Sequence, residues 1–266
     1  MVVVAYVVKL ISHIPCNNSR DRREFFNYLI VKHILYQNIL EVIGNKPLVK
    51  INKINPNKKL IALDLGCGSG ELAIQLAPYF KKIIGIDLFE KYLLTAKKDA
   101  QSKKILNFKF IKADAKKLPF KNNVFYIIYC SRGPLSQNLK ILSESLRVLK
   151  KGGTMIEETI GERDKLELKR IFNRGQNYPI CQARSDFIKK LLLKAKVKLI
   201  FLKSFIFWQN FSNTEAVVEL LERAPIIPEF DIKKDREAII KTQDQLTTKN
   251  GIILSSHRLC WAAKKL

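Results

Sequence analysis

Apolar positions change their period several times along this 266-residue chain, and each change marks an element. Phe26, Leu29, Ile30, His33, Leu40 and Ile43 recur at helical spacing, after Asp21 and Glu24 in capping-box register and before a closing Gly44. That pattern predicts a long N-terminal helix. The run Val2-Val3-Val4-Ala5-Tyr6-Val7-Val8 ahead of it is too short to span a bilayer and lacks the charged flank of a signal peptide, so it reads as a strand or buried segment.

After a connector of Asn, Lys and Pro over residues 45–59, short apolar runs alternate with helical stripes, as in successive βα units around a parallel sheet. Strands are expected over 60–65, 82–86, 108–112, 124–130, 154–160 and 198–208. The helices between them are expected at 71–77, ended by Pro78, and on the stripes Phe89, Leu93, Ala96, Ala100 and Leu139, Leu142, Leu146, Leu149, the latter stopped by Gly152 and Gly153. Two more follow, over 185–196 and from a capping box at Ser212 and Glu215 to Arg223. Asn250-Gly251 is a hairpin signal feeding the apolar stretch 252–263. The fold class is therefore α/β, Rossmann-like. Residues 1–45 are expected as a cap, 46–266 as the main domain, and 209–249 as a cover inserted between the last two strands.

Composition changes this picture only modestly. A net charge of +24 makes an anionic partner plausible, but the lysines are spread over the whole chain, as a general bias in residue usage would also leave them. The five cysteines contain no C-x-x-C pair, which argues against a zinc site and for reduced thiols in a cytoplasmic protein; no metal is expected. No segment has the length and apolarity of a transmembrane helix.

The chemistry concentrates in Asp64-Leu65-Gly66-Cys67-Gly68-Ser69-Gly70, between a strand and a helix. Alternate glycines let the chain turn sharply and let a ligand lie on bare backbone near helix N–H donors. The spacing is G-x-G-x-G, not G-x-G-x-x-G, and no Lys with Ser or Thr follows to hold phosphates. Asp64, two residues before the first Gly, would repel a pyrophosphate but suits a ligand carrying an ammonium and a sulfonium. Asp87 ends the next strand, where a carboxylate can accept from ribose hydroxyls, and Asp114 ends the third, where it can accept from an adenine amino group. Asp is also common wherever a strand gives way to a turn, so the register of all three with the glycines is what carries weight.

This constellation resembles class I S-adenosylmethionine-dependent methyltransferases, in the type 11 branch. Beyond the glycine loop, the resemblance covers Gly85-Ile86-Asp87, Ala113-Asp114-Ala115, Leu118-Pro119-Phe120 with Val124-Phe125, and the stretch LRVLKKGG from Leu146 to Gly153. It implies a seven-stranded, mostly parallel sheet with helices on both faces and an antiparallel last strand. It implies S-adenosylmethionine as cofactor, bound by Asp64, Gly66, Cys67, Gly68, Gly70, Asp87, Leu88, Asp114, Ala115 and Cys130. The acceptor is open between a small molecule and an RNA base. The sequence departs from the family in having no Asp ahead of strand four and no Asn-Pro-Pro-Tyr-like tetrad after it, where Tyr129-Cys130-Ser131-Arg132-Gly133-Pro134 stands.

Displacement at a sulfonium needs an aligned nucleophile in a dry pocket and little else, so no strong catalytic signature is expected. Candidate bases are His33, Tyr129, Glu158 and His257; candidate acceptor-binding groups are Arg132, Arg163, Arg174 and the aromatic strand around Trp208. Packing roles compete with each. The rival functions are a non-catalytic module of the same fold that binds S-adenosylmethionine or nucleic acid, and a nicotinamide oxidoreductase, which the glycine spacing opposes.

Overall fold

The computed structural model describes residues 60–180 and 182–266. The apolar N-terminus, the expected helix from Phe26 to Ile43, His33 and the cap over 1–45 lie outside the described residues. In chain order the elements are β1 (Ile61–Leu65), α1 (Glu71–Leu76), a 3-10 turn (Ala77–Tyr79), β2 (Lys82–Asp87), α2 (Glu90–Ser102), β3 (Phe108–Lys112), β4 (Phe125–Ser131), α3 (Leu139–Val148) and β5 (Leu149–Ile160). Then come α4 (Leu166–Ile171), α5 (Arg184–Lys194), β6 (Lys198–Phe211), α6 (Thr214–Arg223), α7 (Arg236–Leu246), β7 (Thr247–Thr248) and β8 (Gly251–Lys264).

The strand order is β3-β2-β1-β4-β5-β8-β6, with the two-residue β7 paired to β8 off this path. Neighbours among the first five strands run parallel, and β8 runs antiparallel to β5 from Thr154↔Lys264 to Ile160↔Arg258. The Rossmann-like α/β class with its antiparallel last strand is thus the observed one.

Two compact units divide the described chain: residues 60–164, 180–205 and 257–266 form one, and 165–179 with 206–256 the other. In the first, Leu63, Leu65, Ile128, Met155, Trp261 and Ala263 of the sheet pack with Ile141, Leu142 and Val148 of α3 and Ile188, Leu191 and Leu192 of α5. These strand positions alternate in sequence, so one face of the pleat buries them together. The second unit has its own core of Leu168, Phe172, Val217, Leu221, Ile226, Ile227, Ile252 and Leu254. The cover expected over 209–249 falls within it.

Three local expectations are corrected. Phe89 does not belong to the α2 stripe: its N–H is taken by the Asp87 carboxylate, so the residue stays extended at the N-cap and 60% exposed, while Leu93, Ala96 and Ala100 are buried. Leu149 is not the last turn of α3 but the first residue of β5, paired with Phe125; the glycines that seemed to stop the helix lie inside the strand. A strand that starts by pointing into the same core imitates one more helical turn. The cap of α6 is Asn213, whose Oδ1 accepts from Ala216 N at 3.1 Å, and Ser212 donates to that same Oδ1 instead of capping. At Asn250-Gly251 the hairpin is present, joining β7 to β8 through Thr248↔Gly251, with Gly251 at φ +97°.

Candidate functional site

At the carboxyl end of β1 the chain turns under the control of its neighbour. Gly66 N and Cys67 N both donate to Ile86 O at 2.9 Å, and Gly68 N donates to Asp87 Oδ2 at 2.9 Å. The other oxygen, Asp87 Oδ1, accepts from Phe89 N at 2.9 Å, so one carboxylate ties the glycine loop to the start of α2. Two glycines there do different work. Gly66 (φ +75°) is a packing requirement, since a Cβ would stand 2.8 Å from Pro134 Cδ. Gly68 (φ +51°) has nothing within 4 Å of where a Cβ would be, which leaves its backbone facing open space.

Asp64 lies one residue short of this turn, 2% exposed, in register with Tyr129 of β4, which is wholly buried. Neither Asp64 Oδ2 nor the Tyr129 hydroxyl has a hydrogen-bond partner among the described residues. Burial is the main force on Asp64, raising its carboxyl from an ordinary 3.8 to about 8; the Tyr129 hydroxyl works against that rise and the Asp87 charge adds to it. The two side chains feel each other without meeting in hydrogen-bond geometry.

The other expected binding residues lie around this turn. Cys67 is half-buried against Gly85, and burial pushes its thiol up. Gly70 (φ +76°) sits where a Cβ would press on Ala96 and the Phe110 ring at 3.0 Å. Leu88 is 55% exposed. Ala113 N donates to Asp87 O at 3.1 Å, bringing the end of β3 beside that of β2; Asp114 is exposed there, with Oδ1 accepting from Lys116 N at 2.8 Å, and Ala115 is buried. Arg147 holds the following segment, donating to Leu118 O at 2.9 Å and Phe120 O at 2.7 Å. Cys130 is fully buried, close to the Gly133 bend that packs on Leu65 O.

Similarities to known proteins bear on the same part of the chain. Residues 62–153 match the family model for a methyltransferase domain. The likeness is thus to a methyltransferase domain, over less than half of the chain. The ubiquinone/menaquinone biosynthesis C-methyltransferase UbiE of Wigglesworthia glossinidia brevipalpis is 32% identical over 143 residues, 50% of this chain and 56% of that protein. The uncharacterized methyltransferase YcgJ of Bacillus subtilis is 34% identical over 96 residues, 35% of this chain and 38% of its own length. This chain therefore spans about half or less of these relatives. The crystal structure of the YcgJ protein shares the fold, with a TM-score of 0.56 at 18% identity over 79% of this chain and 93% of the other.

S-adenosylmethionine is the cofactor that this likeness implies, and the residues at the end of β1 fit its chemistry. A buried carboxylate oxygen without a partner suits its ammonium, and the open backbone at Gly68 leaves room for a ligand. Among the described residues no group of His, Cys, Asp or Glu could hold a metal ion, and no helix is long and apolar enough to cross a membrane.

The candidate bases are placed less suggestively. Burial drives the Tyr129 phenol well above its ordinary range, so it keeps its proton at neutral pH. His257 is 2% exposed; its Nδ1 accepts from Arg163 N at 3.1 Å, which puts the ring proton of the neutral form on Nε2, 2.8 Å from Ser204 Oγ. Burial lowers its pKa further. Glu158 is buried, 3.8 Å from Arg258 Nε. Arg174 is committed to structure in the second unit, where Nη2 meets both Asp235 oxygens at 2.8 and 2.7 Å and Nε donates to Pro228 O at 3.1 Å. Trp208 is 59% exposed beside a buried Phe207.

Residue-by-residue reading missed Glu157. Next to Cys130 in the sheet register and wholly buried, it accepts from Ser136 N at 3.1 Å and Trp261 Nε1 at 2.7 Å, while Arg184 Nη2 donates to Ser136 O at 2.9 Å. Burial raises its carboxyl. The signal available was an acidic pair, Glu157-Glu158, inside an apolar strand.

Proposed function

We propose that this protein transfers the methyl group of S-adenosylmethionine to a small organic acceptor. The observation that carries the reading is a fully buried Asp64 oxygen without a partner among the described residues, two residues before a glycine turn whose Gly68 backbone stands open. Bound there, the cofactor supplies an electrophilic methyl on its sulfonium. The chain's part is to bind and orient it. Asp64 would face the ammonium. Asp87, with lone pairs left after holding Gly68 N and Phe89 N, would accept from the ribose, with Leu88 against the ring system. Asp114 and Ala115 would border the adenine, and Cys130 would line the pocket at the end of β4. Holding the reacting atoms aligned and away from water is enough to accelerate such a displacement.

The choice of a small acceptor follows the relatives named for ubiquinone/menaquinone biosynthesis, against one named as a 23S rRNA (uracil-C5) methyltransferase. The strong positive charge favours an anionic acceptor. A labelled-methyl assay run side by side on total RNA and a metabolite extract, with Asp87→Ala as inactive control, tests this. Label in the extract is the expected result. Label in RNA, with affinity falling steeply in salt, replaces the acceptor with an RNA base. Cofactor binding without label in either sample means a non-catalytic module.

A further inference from the structure

Asp64 and Tyr129 form an unusual pair: inside the sheet, Asp64 Oδ2 and the Tyr129 hydroxyl each lack a partner in hydrogen-bond geometry among the described residues, although the hydroxyl is near enough to pull the Asp64 carboxyl down against its burial. Buried polar groups are nearly always paired, and an exception calls for a reason such as a ligand or a proton. Their strands are adjacent and parallel, with Asp64↔Tyr129 in direct register, so the two side chains leave the sheet on the same face as neighbours. We propose that Tyr129 is a positioning residue for Asp64: when a cationic ligand enters the glycine loop, Asp64 gives its proton to solvent and the resulting carboxylate accepts from the Tyr129 hydroxyl. Cofactor uptake is then coupled to release of one proton. The inference rests on the site reading above, since it needs the ligand's ammonium near Asp64.

The surroundings favour this direction. The groups facing Asp64 are Asp87 from the end of β2, the Cys67 thiol from the loop, and Tyr129 and the nearby Cys130 thiol from β4. None brings a positive charge, so these groups offer an ionised Asp64 no counter-ion, and burial holds its carboxyl at about 8. Cys67, Cys130 and Tyr129 are all pushed upward by burial and hold their protons at neutral pH. A ligand ammonium reverses the balance at Asp64 alone. The hydroxyl of Tyr129, a donor that reaches no other acceptor, stabilises the ionised form.

The test is calorimetry of S-adenosylhomocysteine binding to the whole protein, in phosphate and Tris buffers, from pH 6 to 9.5. Wild type is expected to release roughly one proton per ligand at pH 7, with affinity falling about tenfold per pH unit below 8. Asp64→Asn should bind more weakly and release none. Tyr129→Phe should weaken binding about five- to tenfold at pH 7 yet converge with wild type near pH 9.5, where Asp64 is already ionised. Taking the ratio of the two affinities cancels the ligand's own titration. A ratio constant across pH means that the hydroxyl only fills space and overturns the proposal. So does wild-type binding with equal heats in both buffers after correction for dilution, a result that needs no variant to fold. Failure of wild type to bind at any pH overturns the site reading itself.

Discussion

Two buried ionisable groups in this chain have opposite surroundings. Asp64, in the sheet unit, has an oxygen with no partner among the described residues and stands beside an open glycine turn. Lys165, in the other unit, is 2% exposed, and its ammonium donates to Gln209 Oε1 at 2.5 Å, Ser256 Oγ at 2.6 Å and Ser255 O at 3.2 Å. An ammonium has three protons to give, and here all three are placed. The same unit ties down Arg174 on Asp235. A saturated buried charge has nothing left for a ligand and belongs to the architecture; an unsaturated one leaves a debt that a ligand can settle.

The comparison breaks if Asp87→Ala leaves cofactor binding intact. Losing the carboxylate frees two amides and loosens the glycine loop, so affinity for S-adenosylmethionine should fall at least about a hundredfold, or about 3 kcal/mol, by calorimetry. Next in size is the pH response of Asp64. Its carboxyl is raised from 3.8 to about 8, so the unfolded chain loses this proton first and stability, fully present below about pH 4, drains away as pH climbs through 8. Denaturant melts of the ligand-free protein should show Asp64→Asn more stable than wild type at pH 8.5, by on the order of 3 kcal/mol, with the gap closing toward pH 4.

For the saturated charge, Lys165→Met should destabilise folding by about 2 kcal/mol, because Gln209 and Ser256 lose a buried donor. Cofactor affinity should stay within twofold of wild type, and a large loss of binding would erase the contrast. Smallest is Gly68→Ala, which meets no atom within 4 Å but must hold φ +51°. It should cost about 1 kcal/mol in thermal stability. A greater loss of affinity than of stability would sharpen the claim that ligand lies against this backbone.

Much of this was legible without coordinates. The alternating periods placed β1 to β4 within one residue at either end, and Asp64, Gly66, Gly68 and Asp87 stood out by spacing alone. Where prediction slipped, a tertiary contact had overruled a local pattern. Phe89 left its stripe because Asp87 claimed its amide, and Leu149 joined β5 because Phe125 was there to pair with it. The buried network of Glu157 was invisible in the sequence because its partners, Ser136 and Trp261, are 21 and 104 residues away.

Periodicity and the glycine spacing determined the fold class, since it depends on properties each short segment carries by itself. Which buried ionisable groups are satisfied was decided only by tertiary structure. Lys165 and Asp64 read alike as isolated letters; Gln209, Ser255 and Ser256 converge on one, and none of the described residues completes the other. Hydrogen-bond saturation depends on distances between residues remote in sequence, and folding alone sets those distances.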